Sequence, residues 1–311
     1  MPNYQGVWSL SEQYQNASGW PRLKEVAIFT GGSQLGTSIQ KIDFLSAGNS
    51  TSFGNLPSNT TTGTAALGSA TRGVIAGSIG GGGGNENPIN YVTFATDGNS
   101  LDFGDLTSAN QQMVGSSNST RGLFSGGTNS SGTQYITIAS LGNAAYFGDL
   151  YSTNIYRLSA CASPTRALVG VGATNGAASE IVNYYTISST GNSSAYGDIS
   201  SQRRAGAAFS SSTRGVFGSG EAGNGQAQNV IDYFTIASTG NATDFGDLTI
   251  ARAYLASAAG STKGVFCGGE GTNVIDFVTI ASTGNASDFG DLSVTSNQIF
   301  GGASGSHGGL S

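Results

Sequence analysis

The 311-residue sequence predicts an all-β fold, a closed ring of six units with four antiparallel strands each. Three observations predict it. The stretch NVIDYFTIASTGNATDFGDLTIAR, Asn229 to Arg252, recurs in close variants six times. The glycine of its FGD element falls at Gly54, Gly104, Gly148, Gly197, Gly246 and Gly290, at intervals of 50, 44, 49, 49 and 44 residues. Fifty glycines against five prolines, with only 10% charged residues, describe tight turns between short strands packed closely together.

Residues 1–24 match no part of the repeat, yet hold both tryptophans, Trp8 and Trp20. They are read as an N-terminal attachment arm, with residues 25–311 as the ring; the alternative is that the arm packs on its own domain. From Val26 the units run on, and they are read with strands a to d from the axis outward. Strand a is a small-residue stretch such as AYLASAAGS, because only Ala, Gly and Ser fit where units crowd the axis. Strand b is RGVFGSG, strand c IDYFTIA and strand d DFGDL. Tyr91 and Phe103, Tyr135 and Phe147, Tyr184 and Tyr196, Tyr233 and Phe245, and Phe277 and Phe289 each stand 12 residues apart across the c–d turn and are read as core.

Insertions are confined to one place. From the FGD glycine to the next cation of the STRG motif (Arg72, Arg121, Arg166, Arg214, Lys263) the distance is 17 or 18 residues. From the polar residue of strand c (Asn90, Gln134, Asn183, Asp232, Asp276) to the FGD glycine it is 14 every time, and unit one, counted from Asp43, is shorter at 11. The b–c segment between them varies from 13 to 18. This spacing is the blade length of a β-propeller. The chain opens at strand b and ends with a tail of strand a character, so the tail is expected to join blade one and close the ring. The recurring cations and FGD aspartates are read as internal ion pairs or turn hydrogen bonds, and His307 as a member of the cation series.

Composition excludes most chemistry. One histidine and two separated cysteines, Cys161 and Cys267, cannot build a metal centre or a nucleophile–base pair, so no catalytic, cofactor-binding or metal-binding residue is assigned and the chain is read as non-enzymatic. A net charge of −6 works against nucleic acid. No basic n-region, apolar h-region or membrane-length apolar run occurs, so the product is expected to be cytosolic in origin and not membrane-inserted.

The units, with a b strand ending in GG and aromatic c and d strands, resemble kelch repeats, although strand d carries Phe53, Phe103, Phe147, Tyr196, Phe245 and Phe289 where kelch units carry Trp. The wording IDYFTIASTGNATDFGDLTIAR with STRGVFGSG, and the opening YQGVWSLSEQYQ, are similar to repeat arrays in structural proteins of tailed bacteriophages, marine and cyanobacterial ones especially. The resemblance implies a virion protein of tail, fibre or knob type. Its partners would be other virion proteins and a host-surface glycan or protein, with a homo-oligomer also compatible. The alternatives are an adaptor in neck, collar or capsid and, behind it, a polysaccharide-degrading enzyme.

In a propeller the d–a and b–c loops share one face, and here that face holds all the length variation. Its d–a segments add Tyr156, Arg157, Arg203, Arg204 and Arg252, which are the candidate partner-binding residues for a partner with carboxylates. The alternative is that these arginines pair with FGD aspartates. Trp8 and Trp20 are the candidate virion anchors.

Overall fold

The computed structural model describes residues 25–310 except 33, 58–62, 81–82, 153 and 300. Trp8 and Trp20 lie outside the described residues. The described chain is all-β, arranged as a β-propeller, with one 3-10 turn at Gly308–Leu310 and no α-helix among the described residues.

Four sheets are blades of four strands. Unit two is Ala65–Gly68, Arg72–Ile79, Asn85–Thr93 and Leu101–Asn110; unit three is Val114–Ser117, Arg121–Ser125, Gly132–Thr137 and Ala145–Asp149. Unit six is Ala256–Ala259, Lys263–Gly269, Thr272–Thr279 and Ser287–Ser296. Unit one takes Gly301–Ser304 as its inner strand, followed by Val26–Thr30, Ser38–Asp43 and Ser46–Asn55. That inner strand comes from the far end of the chain, with Ala27 opposite Ser304 and Thr30 opposite Gly301.

The expectation of six separate blades is corrected here, because the rest of the repeat array lies in one ten-stranded sheet. Strand d of unit four runs eleven residues, Ser194–Arg204, and its end pairs with the end of Arg214–Ala222 through Arg203–Ala222 and Arg204–Glu221. The long b–c hairpin of unit five supplies that extra strand length and so joins the two units at their edges.

Packing explains the residues at the axis. A Cβ on Gly115 would stand 2.1 Å from the Ala66 carbonyl oxygen, and one on Gly302 the same distance from that of Ser257. Serines then bridge neighbouring units, Ser117 to the Gly68 carbonyl at 2.7 Å and Ser210 to the Ala162 carbonyl at 2.7 Å. Further out, each apolar core is shared by two units. Val26, Ile28, Ile39 and Phe53 of unit one pack with Ile75, Val92 and Phe94 of unit two. The 12-apart aromatic pairs meet edge to face within one unit, as at Tyr91–Phe103 with centroids 6.1 Å apart.

The repeated motifs act between units. Each FGD element lies on the TGN turn of the next unit, where the asparagine side chain accepts the backbone N–H that follows the FGD glycine. Asn99 accepts from Asn55 and Asn143 from Asp105, both at 3.0 Å. The last of the series, Asn49 accepting from Asp291 at 3.0 Å, spans the closure of the ring. Gly104, at φ +148°, has no room for a side chain, since a Cβ would lie 2.4 Å from the Gly142 carbonyl oxygen.

The STRG arginines follow one of their two expected readings: they hydrogen-bond the backbone where the c–d turn begins and do not pair with FGD acids. Each lies over its own strand c aromatic, Arg214 at 4.3 Å from the Tyr233 centroid, and donates from Nη1 to backbone of the next unit. Arg72 reaches the carbonyls of Ile138 at 2.9 Å and Ala139 at 3.0 Å, and Arg166 those of Ile236 at 3.1 Å and Ala237 at 2.9 Å. Unit one's hairpin is not short. Gln40, opposite Phe29 and Ser52, takes the place of Asn90, opposite Ile75 and Asp102, and stands 14 residues before Gly54. His307 is no member of the cation series. Its Nε2 donates to the Gly68 carbonyl at 2.8 Å and its Nδ1 accepts from Gly309 N at 3.1 Å, which holds the tail across the axis at the a–b end.

Candidate functional site

Strand c carries one buried polar residue per unit at matching register: Gln40, Asn90, Gln134, Asn183, Asp232 and Asp276. In four units it is met from the preceding unit by the residue after FGDL, YGDI in unit four. Thr107 N donates to Gln134 at 2.7 Å, Ser200 Oγ to Asp232 at 2.9 Å, Thr249 Oγ1 to Asp276 at 2.6 Å and Ser293 Oγ to Gln40 at 2.7 Å. Where the polar residue is an aspartate, an arginine three positions further on neutralises it. Arg203 pairs with Asp232, and Arg252 with Asp276 at 2.9 Å, all four side chains fully buried. A buried carboxylate without such a partner costs several kcal/mol. Arg203 and Arg252 therefore offer no surface to a partner, and their acids are those of strand c, not the FGD aspartates.

The other three sequence-predicted residues lie together, half-buried, on the face with variable loops. Arg204 donates to Glu221 at 2.7 Å, Tyr254 donates its hydroxyl to the second oxygen of Glu221 at 2.9 Å, and Arg157 donates to the Tyr254 hydroxyl oxygen at 2.8 Å. Arg157 also lies over the rings of Tyr156 and Tyr254, at 5.5 and 5.1 Å from their centroids. The hydrogen bond from Arg204 holds the Glu221 carboxyl below its usual range, and the same bond raises Arg204. Burial raises the Tyr254 phenol, and so does its bond to Glu221. The cluster is thus a half-buried zwitterionic patch with two aromatic rings, Tyr156 and Tyr254, in which Glu221 balances part of the basic charge expected.

Backbone geometry positions it. Gln112, Arg157, Ala205 and Tyr254 all have φ between 55 and 60°, a left-handed conformation that non-glycine residues seldom adopt. These residues are linked around the axis: Arg157 N to Gln112 O at 3.1 Å, Ala205 N to Arg157 O at 3.0 Å, Tyr254 N to Ala205 O at 2.7 Å. Gln112 N to Gly63 O and Ile299 N to Tyr254 O extend the chain of bonds at 2.9 and 2.8 Å. Each bond offsets part of the ~1–2 kcal/mol cost of the left-handed turn. Arg157 and Tyr254 are thus held at fixed points, each one residue before a leucine, Leu158 and Leu255, that lines an axial cavity of about 90 Å³ together with the six inner strands.

Sequence reasoning missed Asp232, Asp276, Glu221 and Tyr254 as partners. For the first two the signal was present: only units whose strand c carries aspartate are preceded by an arginine three residues after the Ser or Thr that follows FGDL or YGDI. Cys161 and Cys267 are both buried free thiols, and burial pushes the Cys161 thiol up to about 12. No protein-family model matches the chain, and no curated protein matches it.

Proposed function

We propose that this chain is a non-enzymatic structural component of a phage virion, of tail, fibre or knob type, whose propeller binds a host-surface glycan or protein or another virion protein. The ten-stranded sheet counts as two blades joined at their edges, which makes the ring six-bladed and matches the six clasps from FGD element to TGN turn.

One observation carries the binding reading. Repeated residues are engaged in holding neighbouring units together, while the face of variable b–c loops carries an individual cluster, Tyr156, Arg157, Arg204, Glu221 and Tyr254, on a backbone fixed by its own ring of hydrogen bonds. Stacked aromatics beside paired charges suit a polar, hydroxyl-bearing ligand or a mixed-charge protein patch. The adaptor reading is favoured by a different observation, the leucines Leu45, Leu101 and Leu141 at the opposite, c–d end, which are 58, 59 and 57% exposed.

Competition for host adsorption tests the proposal. Purified ring is expected to slow phage adsorption, and Tyr156→Ala with Arg157→Gln to weaken that effect strongly while the melting temperature holds. Absence of competition by the wild-type ring, with the chain located inside the particle by reconstruction, would transfer the function to the adaptor.

A further inference from the structure

Unit one departs from the others at one pair of residues. Strands b and c begin and end on a matched pair, Arg72 opposite Thr93, Arg121 opposite Thr137, Arg166 opposite Thr186, Arg214 opposite Thr235 and Lys263 opposite Thr279. In unit one the same pair is Val26 opposite Asp43. Strand b has lost its cation and strand c has gained a carboxylate, while the charge over the strand d ring comes from Lys41, 5.9 Å from the Phe53 centroid. Strand c changes with them, since Lys41 stands where the other units have the aromatic that the cation covers, and it pairs with Asp97 of unit two.

The consequence is a hole of defined chemistry. Four arginines cross to the next unit and donate to the carbonyl at the end of its strand c. The corresponding carbonyls ahead of unit one are those of Phe94 and Ala95, which receive no arginine among the described residues. A pocket of about 270 Å³ lies there, bordered by Val26, Lys41, Asp43, Phe94, Ala95 and Asp97. Its charged border is two carboxylates and one ammonium, so it is net negative, and the carbonyls add acceptors where four of the other units hold a planar donor.

We propose that this pocket is a binding site for a guanidinium group, the side chain of an arginine that enters from outside the ring and takes the place strand b leaves empty in unit one. The group stacks along Val26, faces the Asp43 carboxylate and donates to the Phe94 and Ala95 carbonyls as Arg72 does to Ile138 and Ala139. Two sources share this chemistry: Arg22 of the same chain, four residues before Val26, and an arginine of a partner protein.

Titration of the full chain with L-argininamide, followed by the amide NMR signals of Asp43, Phe94 and Ala95, tests the site, with citrullinamide as the uncharged isostere. If Arg22 fills the pocket, the wild type is silent and Arg22→Gln binds argininamide; if a partner fills it, both bind alike. In the binding-competent form, Asp43→Asn is expected to weaken argininamide about tenfold, and Val26→Arg, which rebuilds the strand b cation, to abolish binding. Equal response to citrullinamide, indifference to both Asp43→Asn and Val26→Arg, or silence of wild type and Arg22→Gln alike would overturn the proposal.

Discussion

At the scale of single residues, the least forgiving positions are the buried ion pairs. Arg203 and Asp232 have no solvent contact, so each charge is tolerated only because the other is present. Asp232→Ala is expected to destabilise the fold by about 3–5 kcal/mol, whereas Arg203→Met with Asp232→Leu recovers most of that loss; denaturant midpoints at equal slope are the measurement. Acid sensitivity follows from His307. Burial holds its imidazole below the usual value near 6.5, and the neutral ring accepts from Gly309 N while donating to Gly68 O. The unfolded chain binds a proton first as pH falls, so this contribution is complete above about 6.5 and shrinks below it, down to the folded value. Glu221, also lowered, acts with the same sign at more acidic pH, and Glu270, raised by its burial, acts with the opposite sign. The melting temperature of the wild type is expected to fall between about pH 7 and about pH 5.5, and His307→Gln to flatten that slope.

At the scale of elements, the c–d hairpin is constant in length because both its ends are fixed by the neighbouring unit. A hairpin one residue longer would move its TGN turn off the FGD glycine that it covers. Asn143→Ala is expected to cost about 0.5–1.5 kcal/mol, the worth of one clasp bond, and Gly104→Ala more, because it opposes both the backbone conformation and the Gly142 carbonyl. Hydrogen exchange at Asp105 reads the first, and the denaturation midpoint the second. Those constant spacings made strands, hairpins and the inner small-residue strand legible in the sequence. Unit one's register was not legible, since Asp43 is the more conspicuous polar residue and only pairing shows that Gln40 occupies the shared position. The arginine partners were hidden for a related reason. The FGD aspartates are nearer and more regular in the sequence, but the chain crosses to the next unit before it meets the acid, so Arg203 finds Asp232. The joining of units four and five was unreadable too, because it depends on how far two strands continue past their repeat, not on the repeat itself.

At the scale of the whole molecule, the ring depends on one short strand. Without Gly301–Ser304, the edge of Val26–Thr30 is open, and a row of unpaired backbone groups beside Ile28 and Phe29 is a template for another chain. The same tail closes the axis through His307 and supplies Ile299 and Ala303 to two separate cores, so its loss removes edge pairing, axial contacts and apolar burial together. Ending the chain after Gln298 is therefore expected to lower the melting temperature by on the order of 10 °C or more, since each kcal/mol shifts a domain of this size by about 2–4 °C. It is also expected to cause concentration-dependent association, read by light scattering, because the open edge can pair with another chain. A synthetic peptide covering residues 297–311 should restore much of the melt in trans, because the strand is bound by pairing rather than by its covalent link. An unchanged melt in the shortened chain would show that the ring closes through its clasps alone, with Asn49 and Asp291 as the sufficient contact.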